Sequence, residues 1–445
     1  MFRIFTLSLG LLLLGGCTTY GVIKNAPLTE STSSQPYSLK ERSNTGGNAD
    51  IALFLAFSGG GTRAAALSYG VLEELRDTIV TIDGEPRRLL DEIDTISSVS
   101  GGSFTSAYFG LYGDRIFDDF RERFLLQDIE GKLIRGLMNP MRWFSSVGRT
   151  EMAVKIYERE VFQGATFEDM KREGAPLILI NASDLGYGVR FTFVQEYFNM
   201  LCSDISSFPV SRAVTASSAV PLLFNPVVVE NFYDCKAEGM PSWMSEAKIR
   251  LAGKPEMREV LRGLETYYLE DRRKYAHFVD GGITDNLGLR AMYEVVELAG
   301  GADRFLKKAG RTPPRYSAVI SIDASTAPEP QMDMSNVNPS ISETIDAMSN
   351  VQLHRYNDAT MELMQDSLQR WAGAMSTPER PVTPYFAQVG FEDIRDPQAL
   401  RFFNRIPTSF SLTEEQVDRL IEAGRELLRD NPEFKRLLAD LGAAS

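Results

Sequence analysis

Histidine and positive charge are both in short supply in this chain. Only two histidines, His277 and His354, occur in 445 residues, so a conventional Ser–His–Asp triad has few bases to draw on. The 47 basic residues are outnumbered by 60 acidic ones, giving a net charge of −13, and no Lys/Arg cluster forms a stripe for phosphates. That balance argues against nucleic acid as a partner and against electrostatic attraction to anionic lipid. Beyond the first residues, no stretch is long and apolar enough to span a bilayer, and no internal repeat is present.

What is there begins with an export signal. Arg3 gives a short positive start, Ile4 to Leu14 an apolar core, and Leu14-Gly15-Gly16-Cys17 a small-residue cleavage site. Leu-Gly-Gly-Cys resembles a bacterial lipobox, which implies removal of 1–16 and lipidation of Cys17 at its thiol and new amino group. An ordinary signal peptide with a chance cysteine is the plainer alternative. Thr18 is not the aspartate associated with inner-membrane retention, so the resemblance implies a cell-envelope protein on the outer membrane, facing the periplasm. Several acyl chains anchor firmly where one alone binds weakly. Residues 17–50 are rich in Ser, Thr, Asn, Gly and Pro, and are expected to be a flexible tether. In an oxidising periplasm Cys202 and Cys235 either pair or remain as two buried thiols; the sequence leaves both open.

From Ile51 onward, short apolar runs alternate with longer amphipathic ones. Ile51–Phe57, Asp94–Val99, Leu177–Asn181, Pro226–Val229, His277–Val279 and Ser317–Ile322 read as strands. Thr62–Asp77, Gly101–Tyr112, Thr150–Phe162, Val210–Ala219 and Leu287–Leu298 read as helices between them. This alternation predicts a layered α/β domain over 51–330 with a largely parallel sheet. A charged, helix-forming stretch at about 236–276 interrupts the rhythm and reads as an insertion that covers or borders the site. Residues 331–445 are expected to be a mostly helical extension, with a capping box at Thr413-Glu414-Glu415-Gln416.

Three short motifs carry the chemistry. Gly59-Gly60-Gly61-Thr62-Arg63 sits between the first strand and the first helix, where inward N–H groups can hold a phosphate or an oxyanion. The loop lacks the lysine of a phosphate-binding loop and the spaced glycines of a dinucleotide fingerprint, which disfavours nucleotide. Ser98-Val99-Ser100-Gly101-Gly102 places Ser100 at a strand-to-helix junction, the geometry of a nucleophile elbow, with Ser98 where the usual pattern has glycine. A serine-rich turn that merely caps a helix is the alternative. Asp280-Gly281-Gly282 ends a strand, and its glycines free the turn to bring the carboxylate to another loop; Asn286 is placed to cap the helix that follows. His277 and His354 read as structural.

In this order and context the three motifs resemble the patatin-like phospholipase family. Ala216-Ser217-Ser218-Ala219-Val220-Pro221-Leu222-Leu223-Phe224, Asn181-Ala182-Ser183-Asp184 and Arg190-Phe191-Thr192-Phe193 add to the likeness, which runs from about Ile51 to Leu298. The resemblance implies a three-layer α/β/α fold and a Ser–Asp dyad without histidine. Ser100 would be the nucleophile and Asp280 the base. Gly59, Gly60 and Gly61 would form the oxyanion hole, with Arg63 holding the loop or adding positive potential. Gly101, Gly102, Gly281, Gly282 and Asn286 would support it. Leu287-Gly288 departs from the Asn-Pro of plant patatins. The expected activity is that of a phospholipase A or lysophospholipase acting on phospholipid or another acyl ester, with no metal or cofactor. An esterase on small esters or thioesters is the nearest alternative, and a non-catalytic lipoprotein that binds a protein partner the more distant one.

Overall fold

A computed structural model describes residues 20–29, 35–42, 50–82, 84–132, 148–221, 223–236, 239–269, 272–328, 331–334 and 336–442. The signal segment and Cys17 lie outside these residues. Eight strands make the central sheet: β1 (Ile51–Phe57), β2 (Ile93–Val99), β3 (Leu177–Asp184), β4 (Val189–Thr192), β5 (Val227–Glu230), β6 (Tyr275–Val279), β7 (Tyr316–Asp323) and β8 (Thr383–Gly390). Their spatial order is β8-β7-β1-β2-β3-β6-β5, with β4 folded back on β3. The run β8-β7-β1-β2-β3 is parallel, while β4, β5 and β6 pair antiparallel. Strand β1 reads as an unbroken apolar run because helices cover both faces of the sheet there. Leu53, Leu55, Ala56 and Phe57 of β1 are wholly buried.

The helices that frame the site are α1 (Gly61–Asp77), α2 (Gly101–Tyr112), α3 (Val210–Ser217), α4 (Pro255–Glu265), α5 (Leu289–Ala299), α6 (Ile341–Met375) and α7 (Glu414–Asp430). One layer groups α1, α2, α3 and α7; the other groups α5 and α6, so the fold is the expected three-layer α/β/α sandwich. The predicted capping box is formed, with the Thr413 hydroxyl accepting the Gln416 N–H.

Two regions depart from expectation. Residues 331–445 are mostly helical, but they also supply β8, which pairs with β7 along its whole length from Tyr316↔Thr383 to Asp323↔Gly390. In addition, α7 lies backbone against backbone on α1: a Cβ on Gly70 would come within 2.0 Å of the Ile421 carbonyl, and one on Gly424 within 2.3 Å of that of Leu67. The C-terminal third is thus built into the sheet and the helix layer. The second departure is the tether, much of which is fixed to the body. Tyr37 is fully buried, its hydroxyl donating to the Ile178 carbonyl and accepting the Ile178 N–H. The Asn25 amide exchanges two hydrogen bonds with the Glu230 backbone at the edge of β5, and Ala26–Pro27 pairs with Ser203–Asp204. Polar composition concealed these anchors, because a single buried aromatic ring can outweigh many solvated neighbours. Cys202 and Cys235 are joined in a disulfide.

Candidate active site

The C-terminal ends of β1, β2 and β3 converge on one spot, where open α/β sheets commonly bind ligands. Ser100 closes β2 and caps α2 with φ 49° and ψ −118°, outside the usual range for a residue with a side chain. The turn is tight because its neighbours are glycines: a Cβ on Gly101 would lie 1.9 Å from the Gly61 carbonyl oxygen, and one on Gly102 2.7 Å from Phe57 Cβ. Ser98 fits where the usual pattern has glycine. It is fully buried and accepts a 2.6 Å hydrogen bond from the Ser106 hydroxyl.

The Ser100 hydroxyl donates to Asp280 Oδ2 at 2.9 Å. The other oxygen, Oδ1, accepts the Gly282 N–H at 2.8 Å. Asp280 follows β6, and its own N–H is held by the Ala219 carbonyl at 3.0 Å. Gly281 is required by crowding, since a Cβ there would meet the Asn181 carbonyl oxygen at 2.4 Å. Ser100 is 4% exposed and Asp280 9%. Burial pushes the Asp280 carboxyl up to about 6, against the lowering effects of the Gly282 N–H and the Ser100 hydroxyl. A carboxylate tuned toward neutrality beside a hydroxyl can take and return a proton.

The same geometry sorts the members of the glycine loop. The Gly59 N–H is held by the Asn286 carbonyl at 2.9 Å, whereas those of Gly60 and Gly61 have no partner among the described residues. Asn286 therefore braces the loop and does not cap the next helix; the residue preceding α5 is Gly288. Arg63 is buried, and its hydrogen bonds go to segments other than the Ser100 turn. Its guanidinium donates to the carbonyls of Ala324 (2.8 Å) and Ile406 (2.6 Å) and to the Thr408 hydroxyl (3.0 Å), so it ties the loop to the C-terminal segment. That segment reaches the loop directly through the Ser409 carbonyl, which accepts the Thr62 N–H.

The sequence that builds this site also matches a known family. The model of the patatin-like phospholipase family matches residues 55–293, more than half of the chain. The protein belongs to that family. No curated protein sequence matches significantly. Among solved structures, human GIVD cytosolic phospholipase A2 is similar at 13% identity and TM-score 0.42, with 88% of this chain and 60% of that chain covered. The same enzyme in complex with methyl gamma-linolenyl fluorophosphonate gives 14% identity and TM-score 0.39, covering 88% and 59%. The chain thus spans about 60% of the length of these structures.

Around this patatin-like centre, both histidines stand apart. His277 is exposed on β6, and His354 on α6 has Nε2 3.2 Å from the Thr326 carbonyl. The insertion packs on the flank of the sheet: a Cβ on Gly263 of α4 would press on Val189 of β4, and the Tyr267 hydroxyl donates to Asp184. A cavity of about 760 Å³, lined by Phe403, Arg419 and Leu427 among others, lies among the C-terminal helices and includes neither Ser100 nor Asp280. The sequence reading missed two contributors, the Ser409 carbonyl and the hydroxyl of Ser217. The first lies in a segment without a motif; the second lies inside a motif whose individual members had no assigned part.

Proposed function

We propose that this patatin-like protein is a serine lipid acyl hydrolase of the phospholipase A or lysophospholipase type. The observation that carries the reading is the 2.9 Å contact between the Ser100 hydroxyl and a buried Asp280 carboxyl at a strained strand-to-helix turn. Ser100 Oγ attacks the ester carbonyl carbon as its proton passes to Asp280. The oxyanion of the tetrahedral intermediate accepts the N–H groups of Gly60 and Gly61, with the N-terminal end of α2 adding positive potential. Asp280 then protonates the departing alcohol, leaving an acyl group on Ser100. Water attacks this ester while Asp280 takes its proton, the fatty acid leaves, and the serine recovers its hydrogen. The exposed apolar side chains of Ile283, whose N–H meets the Asp280 carbonyl, and of Leu223, four residues after the Ala219 that holds the Asp280 N–H, suit an acyl substrate.

The envelope anchor belongs to the same proposal. Two residues separate Cys17 from Tyr20, and the Val22 carbonyl is already bound by Arg212. Five residues reach at most about 18 Å, so a lipidated Cys17 would keep the body close to the bilayer surface. Hydrolysis of a defined phospholipid panel by wild type and Ser100→Ala, together with fluorophosphonate labelling, tests the chemistry. Labelling and fatty-acid release by the wild type alone support it. If neither folded protein labels, the fold serves binding and not catalysis. Cys17→Ala tests the anchor: the protein should move from the membrane to the soluble fraction.

A further inference from the structure

One buried serine touches both halves of the Ser100–Asp280 pair. Ser217, the last residue of α3, is fully buried. Its Oγ accepts the Ser100 backbone N–H at 2.8 Å and donates to the Asn181 carbonyl at 2.6 Å. It lies 3.0 Å from the Ser103 hydroxyl. A hydroxyl has one proton and two acceptor sites. With the proton given to Asn181, Ser103 must be the donor of its pair, and the capacity of Ser217 Oγ is filled. The main chain of the same residue serves the other half: the Ser217 carbonyl accepts the Gly281 N–H at 3.0 Å, and two residues on the Ala219 carbonyl accepts the Asp280 N–H at 3.0 Å.

We propose that Ser217 is a positioning residue, whose side chain holds the nucleophile turn while its main chain holds the base turn, so that the two reactive oxygens are kept in register. The role rests on the reading of Ser100 and Asp280 as nucleophile and base. Ser100 occupies a backbone conformation that residues with side chains seldom adopt, and such a conformation persists only where its surroundings fix it. Its N–H stands at the start of α2, where no intrahelical acceptor exists. Ser217 Oγ is the acceptor that satisfies it. Without that hydroxyl the N–H is buried and unpaired, and the turn is free to relax. Small displacements of a reacting group slow chemistry without weakening binding to the same degree.

The test compares Ser217→Ala with Ser211→Ala, which removes a buried hydroxyl of the same helix that has no hydrogen-bond partner among the described residues. Rates are measured on a monomeric ester, per active site titrated with a fluorophosphonate. Ser217→Ala should lower kcat about 10- to 100-fold with KM little changed, slow the labelling rate in parallel, and leave the acid limb of the pH profile in place. Ser211→Ala should remain within about twofold of wild type. A Ser217→Ala variant that folds and keeps wild-type kcat overturns the role, as does an equal loss in Ser211→Ala. Should Ser217→Ala not fold, Ser217→Cys decides, because it keeps the volume and offers only a weak acceptor. At near wild-type melting temperature it should lose at least about fivefold in kcat, and an unchanged kcat overturns the role. Ser100→Ala is assayed alongside. If it still turns over, the nucleophile reading itself has failed; if it is dead while both Ser217 variants match wild type, only the positioning role falls.

Discussion

Asn181 stands between two buried polar networks that handle charge in opposite ways. Toward Ser100, its carbonyl and amide meet neutral hydroxyls, those of Ser217 and Ser97, and the chain of contacts ends at the carboxylate of Asp280. Toward α5, its Oδ1 accepts from Arg190 at 3.1 Å and from Thr192 at 2.7 Å, and Arg190 in turn reaches Glu294 at 2.6 Å and Tyr197 at 2.8 Å. Asp280 and Asp285 make the contrast sharp. They lie five residues apart and are both buried, and burial raises both carboxyls, to about 6 and about 7. Asp285 has the positive charge of Arg190 opposing that shift, and its Oδ2 accepts the Ala291 N–H. Asp280 has a serine hydroxyl at a strained turn. Burial alone therefore does not mark a base; what the carboxylate oxygen meets does.

If that division is right, the two networks break differently. Asp280→Asn should lower kcat by about 10²–10⁴-fold on a monomeric ester, while thermal stability is kept or rises because a desolvated carboxyl is removed. A variant that retains more than about a tenth of kcat would dissolve the distinction, since Asp280 would then be structural like its neighbour. Gly61→Ala is the next largest. Gly61 has φ +62°, and a Cβ there would lie 2.5 Å from the Ser409 carbonyl oxygen, so the loop must shift and carry an oxyanion donor with it. Loss of one such donor lowers kcat by about 10²–10³-fold. If Gly61→Ala keeps both rate and stability, the Gly60–Gly61 hole is wrong.

The second network should respond in stability. Glu294→Gln leaves Arg190 buried without its carboxylate, and breaking a buried pair costs about 3–5 kcal/mol. Denaturant unfolding should show that loss, while kcat per titrated site stays within about twofold. A large fall in kcat for the folded variant would mean that the two networks act as one through Asn181.

The two networks were not equally legible from sequence. The glycine loop, the Ser100 turn and the Asp280 turn are local as motifs, each a few contiguous residues, although what crowds their glycines comes from other segments: the Gly61 carbonyl at Gly101, the Asn181 carbonyl at Gly281 and the Ser409 carbonyl at Gly61. Even there, spacing could not say that the Gly59 N–H goes to Asn286, or that Arg63 bonds to Ala324, Ile406 and Thr408, because both depend on segments far along the chain. The Arg190 network is assembled from β3, β4 and α5, and no short window contains it. Strand β8 had a usable signal that was passed over. Tyr385, Ala387 and Val389 are buried at every second residue, as an edge strand requires, within a stretch expected to be mostly helical. Tyr37 is the opposite case, a lone anchor with no periodicity to reveal it.

The smallest effect reads one proton in two ways. Asp280 must be ionised to accept the serine proton, so kcat/KM should rise with pH along a limb centred near 6, well above the ordinary aspartate range. For stability the sign is reversed. The folded value lies above the unfolded one of 3.8, so the contribution of Asp280 is fully present below about pH 4 and is lost as pH rises through 6. The shift of roughly two units corresponds to about 3 kcal/mol. Other carboxylates titrate over the same range, so the measurement is a difference: unfolding free energies of wild type and Asp280→Asn are compared from pH 4 to 7. The variant should gain on the wild type through this window, by no more than that amount, as wild-type activity appears. A parallel pair of stability curves, with the activity limb still near 6, would assign the limb to another group and return Asp280 to the same class as Asp285.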